Sequence, residues 1–177
     1  MTTHPPLTPA QALHWFDFDR FMLEARRVLR PNGKLAVIGY GRPRLEGEPA
    51  GEAAFKHYYF DVLRSHRADT CWDIDRRRLD TAHEGEDFES HLKGVERAWF
   101  EEPAPGATVR TFLDYLETFS AYQKFGADRR VLQPIADALR LDRDPARPVV
   151  CVFPFYLVSG TRLPLPTPTC AGGDCEL

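Results

Sequence analysis

Apolar positions recur at helical spacing in four stretches of the chain. The first stretch follows Asp17, a suitable N-cap, and ends at the turn Pro31-Asn32-Gly33, where Gly33 is available for left-handed backbone geometry. Its apolar face consists of Phe18, Phe21, Met22, Ala25, Val28 and Leu29. The same spacing predicts three further helices, over residues 54–63, 108–119 and 128–141.

Apolar runs without helical spacing predict three strands. Leu35–Ile38 is short, apolar at every position and bounded by turn residues, which favours a strand buried on both faces, as in a parallel sheet. Residues 94–100 and 149–158 are the other two, and Pro154 favours an edge position or a bulge in the last strand. A helix followed by a tight turn and a buried strand is half of a crossover unit, so the chain is predicted to be an α/β protein.

Length and charge narrow the class of protein. The 177 residues fit one domain over residues 1–162, and residues 163–177, with three prolines and no apolar pattern, are predicted to be a disordered tail. A net charge of −3 argues against nucleic-acid or membrane-surface binding. No apolar run is long enough to cross a membrane, and the N-terminus lacks the pattern of a signal peptide, so a cytoplasmic location is expected.

The cysteines do not form the pattern of a metal site. Cys71, Cys151, Cys170 and Cys175 contain no CxxC pair, and no histidine lies near the two in the tail. Cys151 lies in an apolar run and is predicted to be a buried thiol. The sequence therefore predicts no metal.

The densest group of chemically useful side chains lies near the N-terminus. Gln11 and Trp15 are four positions apart and would share a helix face, with His14 beside them. The alternative is an apolar lead-in to the first helix, with His14 on the surface. Tyr40 follows a buried strand, where α/β proteins bind ligands, and either lines a crevice or plugs the core. The pair Gly39 and Gly41 lacks the third glycine of a nucleotide loop and reads as a flexible exit from the strand.

Other candidates have strong structural alternatives. Tyr58 and Tyr59 form either a core or a cleft face of the second helix, and the run Arg76–Arg78 is either a solvated face or an anion site. The remaining histidines of note, namely His57, His66, His83 and His91, have no spacing typical of ligands.

Four segments resemble one known family. They are Ala10–Asp17 with Glu24–Val37, then Trp72-Asp73 followed by Arg76-Arg77 and Asp80, then Phe119–Phe125, and finally Phe153–Leu157. In these segments the chain resembles class I S-adenosylmethionine-dependent methyltransferases, specifically the branch similar to trans-aconitate methyltransferase. Asn32 stands where that branch has the first glycine of a P-G-G turn.

The resemblance implies a fold, a cofactor and a set of site residues. The fold would be a partial Rossmann-like methyltransferase fold, with the last three strands of a seven-stranded sheet plus helices. S-adenosyl-L-methionine would be the cofactor, bound by Thr8, Gln11 and Trp15, and a small-molecule methyl acceptor, expected to bear a carboxylate, would be the substrate. His14 would be the catalytic residue, by hydrogen bonding to the acceptor or taking its proton. The acceptor pocket would be lined by Tyr40, Tyr58, Trp72 and Tyr122, and one of Arg76–Arg78 would pair with the substrate carboxylate.

The resemblance also leaves a part of the family pattern unmatched. The 177 residues contain neither the glycine-rich loop nor the acidic strand end that hold the cofactor in such enzymes. The chain is therefore expected to be a C-terminal half, with little cofactor affinity and with its activity alone in doubt. Two other hypotheses remain open. One is a non-catalytic interaction module, or a degenerate relative, that associates through an exposed sheet edge. The other is an unrelated α/β enzyme with a site around His14 and Tyr40.

Overall fold

The computed structural model describes residues 6–63, 76–124 and 127–163. A 3₁₀ turn, Leu13–Trp15, precedes helix α1 (Phe18–Val28), strands β1 (Lys34–Tyr40) and β2 (Arg44–Glu46), and helix α2 (Pro49–His57), which continues as a π-helix over Tyr58–Val62. The later elements are α3 (Arg76–Asp80), β3 (Leu92–Pro103), α4 (Val109–Glu117), α5 (Ser120–Lys124), a 3₁₀ turn at Arg129–Val131, α6 (Gln133–Ala138) and β4 (Val150–Arg162).

Helix α1 forms where the apolar spacing predicts it. The Asp17 carboxylate accepts a hydrogen bond from the Arg20 N–H at 3.0 Å, which confirms the predicted N-cap. The prediction for the turn that follows the helix is wrong in one residue. Asn32, with φ of 61°, takes the left-handed geometry, and Gly33 does not. Gly33 is instead needed for space, because a Cβ there would lie 2.9 Å from the Arg30 carbonyl oxygen.

The described strands form one sheet in which β4 is central. β1 and β2 pair antiparallel with one side of β4, and β3 pairs antiparallel with the other side. The predicted edge position for Pro154 is therefore wrong. The Pro154 carbonyl accepts a hydrogen bond from the Gly41 N–H at 3.0 Å, so its backbone faces the break between β1 and β2. The missing N–H of Pro154 falls at that break and leaves the pairing with β3 intact.

β1 pairs in two directions. On one side it runs antiparallel to β4, from Lys34 opposite Thr161 to Tyr40 opposite Phe155. On its other side, Leu7 and Ala10 form parallel bridges to Leu35 and Ile38. The predicted parallel neighbour is therefore present as a short segment. Burial alternates along β1, so the expectation of burial on both faces is only half right.

The two faces of the sheet differ in how far they are covered. The inner face carries Leu35, Val37, Gly39, Tyr156 and Val158, which are buried. Phe18 and Met22 of α1 belong to the same buried cluster as these strand residues. The outer face carries side chains that are only half-buried, among them Ala36, Ile38, Tyr40, Phe155 and Leu157.

A second core cluster joins the helices to the far end of β4. Its members include Phe55 of α2, Leu116 of α4, Ile135 of α6 and Cys151 of β4, so the predicted buried thiol is confirmed. Thr108 caps α4 by accepting a hydrogen bond from the Thr111 N–H. The fourth predicted helix is broken into a 3₁₀ turn and the short α6.

The architecture agrees with the predicted α/β class, in which a sheet is covered by helices. No helix among the described residues is long and apolar enough to cross a membrane. The predicted tail from residue 163 lies, except for Leu163, outside the described residues.

Candidate functional site

The carboxyl end of β1 is where the chain brings its N-terminal polar residues against the sheet. The Gln11 N–H donates to the Ile38 carbonyl at 2.7 Å, and Gln11 itself has a left-handed backbone with φ of 47°. Its side-chain Oε1 accepts from the Tyr40 N–H at 2.9 Å, and its Nε2 donates to the Tyr40 carbonyl at 3.4 Å. The amide thus continues the parallel pairing after the main chain has turned away.

His14 and Trp15 lie just beyond Gln11, in the 3₁₀ turn. His14 is buried, with 7% of its surface exposed, so the alternative that placed it on the surface is wrong. The Trp15 indole is 56% exposed, and its ring centroid is 5.4 Å from that of His14. Gln11 does not share a helix face with Trp15, because the turn begins only at Leu13 and the backbone of Gln11 is left-handed.

Thr8 lies one step earlier, in the segment that pairs with β1. Its side chain is exposed, and its hydroxyl donates to the Pro6 carbonyl at 3.4 Å. Gln11, His14 and Trp15 therefore follow one another at the carboxyl end of β1, whereas Thr8 lies beside the first half of the strand, because Leu7 pairs with Lys34 and Ala36. The roles of these residues in binding and catalysis stay predictions.

Gly39 gives the inner face room for a tyrosine. Gly39 lies opposite Tyr156 in the sheet, and a Cβ on Gly39 would lie 2.2 Å from the Tyr156 hydroxyl oxygen and 2.4 Å from the ring carbon that bears it. Gly39 is therefore a packing glycine within β1, and its reading as part of a flexible strand exit is wrong. The buried Tyr156 ring also contacts Trp99, at 5.5 Å between centroids.

The Tyr40 ring lies on the outer face, because successive side chains of a strand alternate. It packs edge-on against Phe153 at 5.3 Å and Phe155 at 5.5 Å between centroids. Its backbone, by contrast, is held by Gln11 beside the N-terminal residues. The half-buried ring thus packs against aromatic neighbours, and its role in lining a crevice stays a prediction.

Tyr58 and Tyr122 are brought together elsewhere, in the helical core cluster. Each is 1% exposed, and the Tyr122 hydroxyl donates to the Ala127 carbonyl at 3.1 Å. The pKa of Tyr58 is raised, first by burial and then by the neighbouring Tyr122. Tyr40 is linked to this cluster through Phe153, which packs against it. The remaining member of the predicted acceptor pocket, Trp72, lies outside the described residues.

The basic run contributes one described side chain, that of Arg78. Its Nε lies 3.1 Å from the Glu86 carboxylate, so Arg78 is engaged in an ion pair. Within the described ranges, no group of three or more His, Cys, Asp and Glu side chains is placed to hold a metal ion.

Arg42 and Glu52 form a mostly buried ion pair that the sequence analysis did not single out. The Arg42 Nη2 lies 2.7 Å from Glu52 Oε1, and both side chains are about 15% exposed or less. The guanidinium also lies over the Phe55 ring, at 5.0 Å from the centroid, and Glu52 Oε2 accepts from the Leu45 N–H at 2.8 Å. The pair ties the loop after β1 to α2 and β2.

His83 is the residue that sequence reasoning missed most clearly. It follows α3, is 1% exposed, and its ring lies edge-on to Tyr156 at 6.0 Å between centroids. Burial, followed by the nearby His14 and Arg78, lowers the pKa of His83 to about 4. Its sequence surroundings are polar and irregular, and no spacing signal marks it as a buried residue.

The lowered pKa of His83 predicts that the chain loses stability in acid. Between pH 6.5 and pH 4 the unfolded chain binds a proton that the folded chain does not. The free energy of unfolding therefore decreases as the pH is lowered, by up to about 1.4 kcal/mol per pH unit. Urea denaturation at several pH values measures the slope. A His83→Phe variant should show a shallower dependence over this range, and an unchanged slope would contradict the assignment.

Comparisons with known proteins point to one class. No protein-family model matches the chain. A Dictyostelium discoideum protein named "Putative methyltransferase" is 23% identical over 158 residues, which are 86% of this chain and 57% of that protein. A solved structure described as a "Putative Type II Methyltransferase" from Anaeromyxobacter dehalogenans is 32% identical, with a TM-score of 0.63 over 89% of this chain and 64% of that one.

These relatives support a methyltransferase family, and the solved structure agrees with a partial Rossmann-like fold. The chain spans about 60% of the length of either relative. The names of these two relatives specify neither the trans-aconitate branch nor a methyl acceptor.

Proposed function

We propose that this chain is the part of an S-adenosylmethionine-dependent methyltransferase that binds the methyl acceptor. The acceptor in this proposal is a small, carboxylate-bearing molecule of the trans-aconitate type. The main support is the coincidence of two observations. The relatives are named as methyltransferases, and the turn that carries His14 and Trp15 follows Gln11, which is hydrogen-bonded to the carboxyl end of β1. Ligands of α/β sheets bind outside the carboxyl ends of strands.

The side chains at this strand end fit one part of the cofactor. The exposed Trp15 indole offers an aromatic wall, and the exposed Thr8 hydroxyl lies earlier along the chain, in the segment that pairs with β1. These groups suit the methionine end of S-adenosylmethionine, which supplies an electrophilic methyl group when bound. The sequence carries no glycine-rich loop for the remainder of the cofactor, so tight binding by this chain alone is not part of the proposal.

In this proposal His14 acts on the methyl acceptor. Its ring is nearly closed off from solvent, and a buried imidazole can hold an acceptor carboxylate oxygen by a hydrogen bond without competition from water. The Gln11 amide, by its two hydrogen bonds to Tyr40, fixes where the turn that carries His14 begins. Orientation is the main contribution that a protein makes to an in-line displacement.

A methyl-transfer assay tests the proposal. The chain, in excess over trans-aconitate and with millimolar S-adenosylmethionine carrying a labelled methyl group, is expected to give slow transfer to the carboxylate. His14→Ala should reduce the rate by about 10-fold or more, because it removes a hydrogen bond that orients the acceptor carboxylate, which carries no proton for a base to take. The matched control is His57→Ala, since His57 is exposed on α2. Absence of transfer to trans-aconitate and to a panel of other carboxylates would contradict the function.

Calorimetry tests the expected weak binding of the cofactor separately. Titration of the chain with S-adenosylmethionine should give a dissociation constant weaker than micromolar. Micromolar binding would show that this chain suffices for the cofactor and would overturn that expectation.

A second candidate, an interaction module, is favoured by the exposed strand β3. Among the described strands, β3 pairs only with β4, and nearly all of its side chains are exposed, including Trp99 at 50% and Phe100 at 46%. An unpaired edge of this length is a template for another strand. Light scattering after size exclusion should then show self-association that Trp99→Lys weakens, whereas a stable monomer at all concentrations would argue against association between copies.

A further inference from the structure

The loop after α3 has an unusual backbone that turns a histidine inward. Ala82 and His83 both have left-handed backbones, with φ of 50° and 57°. The His83 N–H donates to the Arg78 carbonyl at 2.6 Å, and the Glu86 N–H donates to the His83 carbonyl at 3.0 Å. Two consecutive left-handed residues without glycine are disfavoured, and such strain concentrates at functional sites.

The inward ring has no hydrogen bond where one is expected. Among the described residues, neither Nδ1 nor Nε2 of His83 has a hydrogen-bond partner, although the side chain is 1% exposed. Buried polar groups are nearly always satisfied, so an unsatisfied imidazole calls for a polar group that completes it. A neutral ring offers one donor and one acceptor.

The surroundings of the ring lie on the same side of the sheet as the candidate site. His83 packs against Tyr156 of the inner face and is electrostatically coupled to His14 and to Arg78. Glu86 engages Arg78 on the same loop. The groups around the ring are therefore the His14 imidazole, the Tyr156 phenol and the Arg78 guanidinium, which Glu86 neutralises.

We propose that His83 is a second ligand-binding imidazole of the methyl-transfer site, whose ring hydrogen-bonds to an oxygen of the methyl acceptor, a carboxyl or hydroxyl group, alongside His14. This inference rests on the proposed function and deepens it. It assigns to the acceptor site a residue from the loop after α3, far along the chain from the segment that carries His14. It also accounts for the strained loop, which places the ring at a cost to the fold.

Imidazole nitrogen chemical shifts test the proposal directly. Chain labelled with ¹⁵N-histidine is titrated with S-adenosylhomocysteine together with trans-aconitate as a carboxylate probe or catechol as a hydroxyl probe. Shifts of the ring nitrogens of both His14 and His83, with His57 unmoved, would support the proposal. A shift of His14 without His83 would overturn the role of His83 and leave the proposed function standing. A shift of neither would overturn the proposed function.

Stability separates a ligand-binding role from a structural one. If the His83 ring serves to bind a ligand, His83→Phe removes two unsatisfied polar atoms and should leave the urea midpoint unchanged or higher. The same variant should weaken probe binding at least tenfold. His83→Asn, whose side chain tolerates the left-handed backbone, controls for strain, and His91→Phe is the matched control. A clear loss of stability in both His83 variants would identify a structural residue and overturn the proposal.

Discussion

Replacing Gly39 with alanine is expected to lower the free energy of unfolding by about 3 kcal/mol, at the upper end of the usual cost of overpacking a core. The added Cβ would lie 2.2 Å from the Tyr156 hydroxyl oxygen and 2.4 Å from the ring carbon beside it. The ring cannot move aside easily, because it is 1% exposed and lies between Trp99 and His83. Urea denaturation measures the change.

Two variants make the Gly39 result specific. Gly85→Ala is the matched control, because an added Cβ there meets no atom within 4 Å, and its effect should be small. Tyr156→Leu should recover part of the loss when combined with Gly39→Ala, since it removes the phenol that clashes. Equal effects of alanine at positions 39 and 85, or no recovery in the double variant, would contradict the packing argument.

Arg42→Met is expected to destabilise the chain by about 3 kcal/mol, because it leaves the buried Glu52 carboxylate without its cation. The two groups are 2.7 Å apart and mostly buried, and the Arg42 guanidinium also packs over the Phe55 ring. Lys56, at 3.7 Å from Glu52, compensates only in part because its side chain is 56% exposed. The measurement is again the urea midpoint.

The double variant Arg42→Met with Glu52→Gln distinguishes the charge from the packing. It should recover most of the loss, since replacing both partners of a buried pair costs far less than removing one. Arg44→Met is the control. It breaks the exposed pairs with Glu46 and Glu101, and it should cost much less stability than Arg42→Met. If the double variant were as unstable as Arg42→Met, the loss would come from packing, and the ion pair would not be the cause.

Local features of the fold could be predicted because their causes are local. The Asp17 cap, the apolar face of α1 and the Thr108 cap each depend on residues within four positions of one another. The strand order could not be predicted in the same way. Pro154 favoured an edge position or a bulge, and only the break between β1 and β2, where residues 41–43 lie opposite residues 153–154, shows how a central strand accommodates it.

The candidate site shows the same division between local and distant contacts. The contact between His14 and Trp15 could be predicted because the two residues are adjacent in sequence. The burial of His83 depends on packing against Tyr156, which is far from it along the chain. The Arg42–Glu52 pair depends on how the loop after β1 lies relative to α2. Tyr58 and Tyr59 were predicted to form a core or cleft face, and both are buried in the helical cluster, whereas the pocket role of Tyr58 and Tyr122 stays a prediction.

The central position of β4 has a consequence for how the chain acquires its structure. β1, β2 and β3 are each paired with β4, and Lys34 meets Thr161 across more than a hundred residues of chain. Because contacts so distant in sequence form slowly, the sheet is expected to assemble late. During synthesis the apolar faces of β1, β2 and β3 therefore stay uncovered until β4 has left the ribosome. Nascent chains stalled before residue 150 should therefore be protease-sensitive and should require a chaperone.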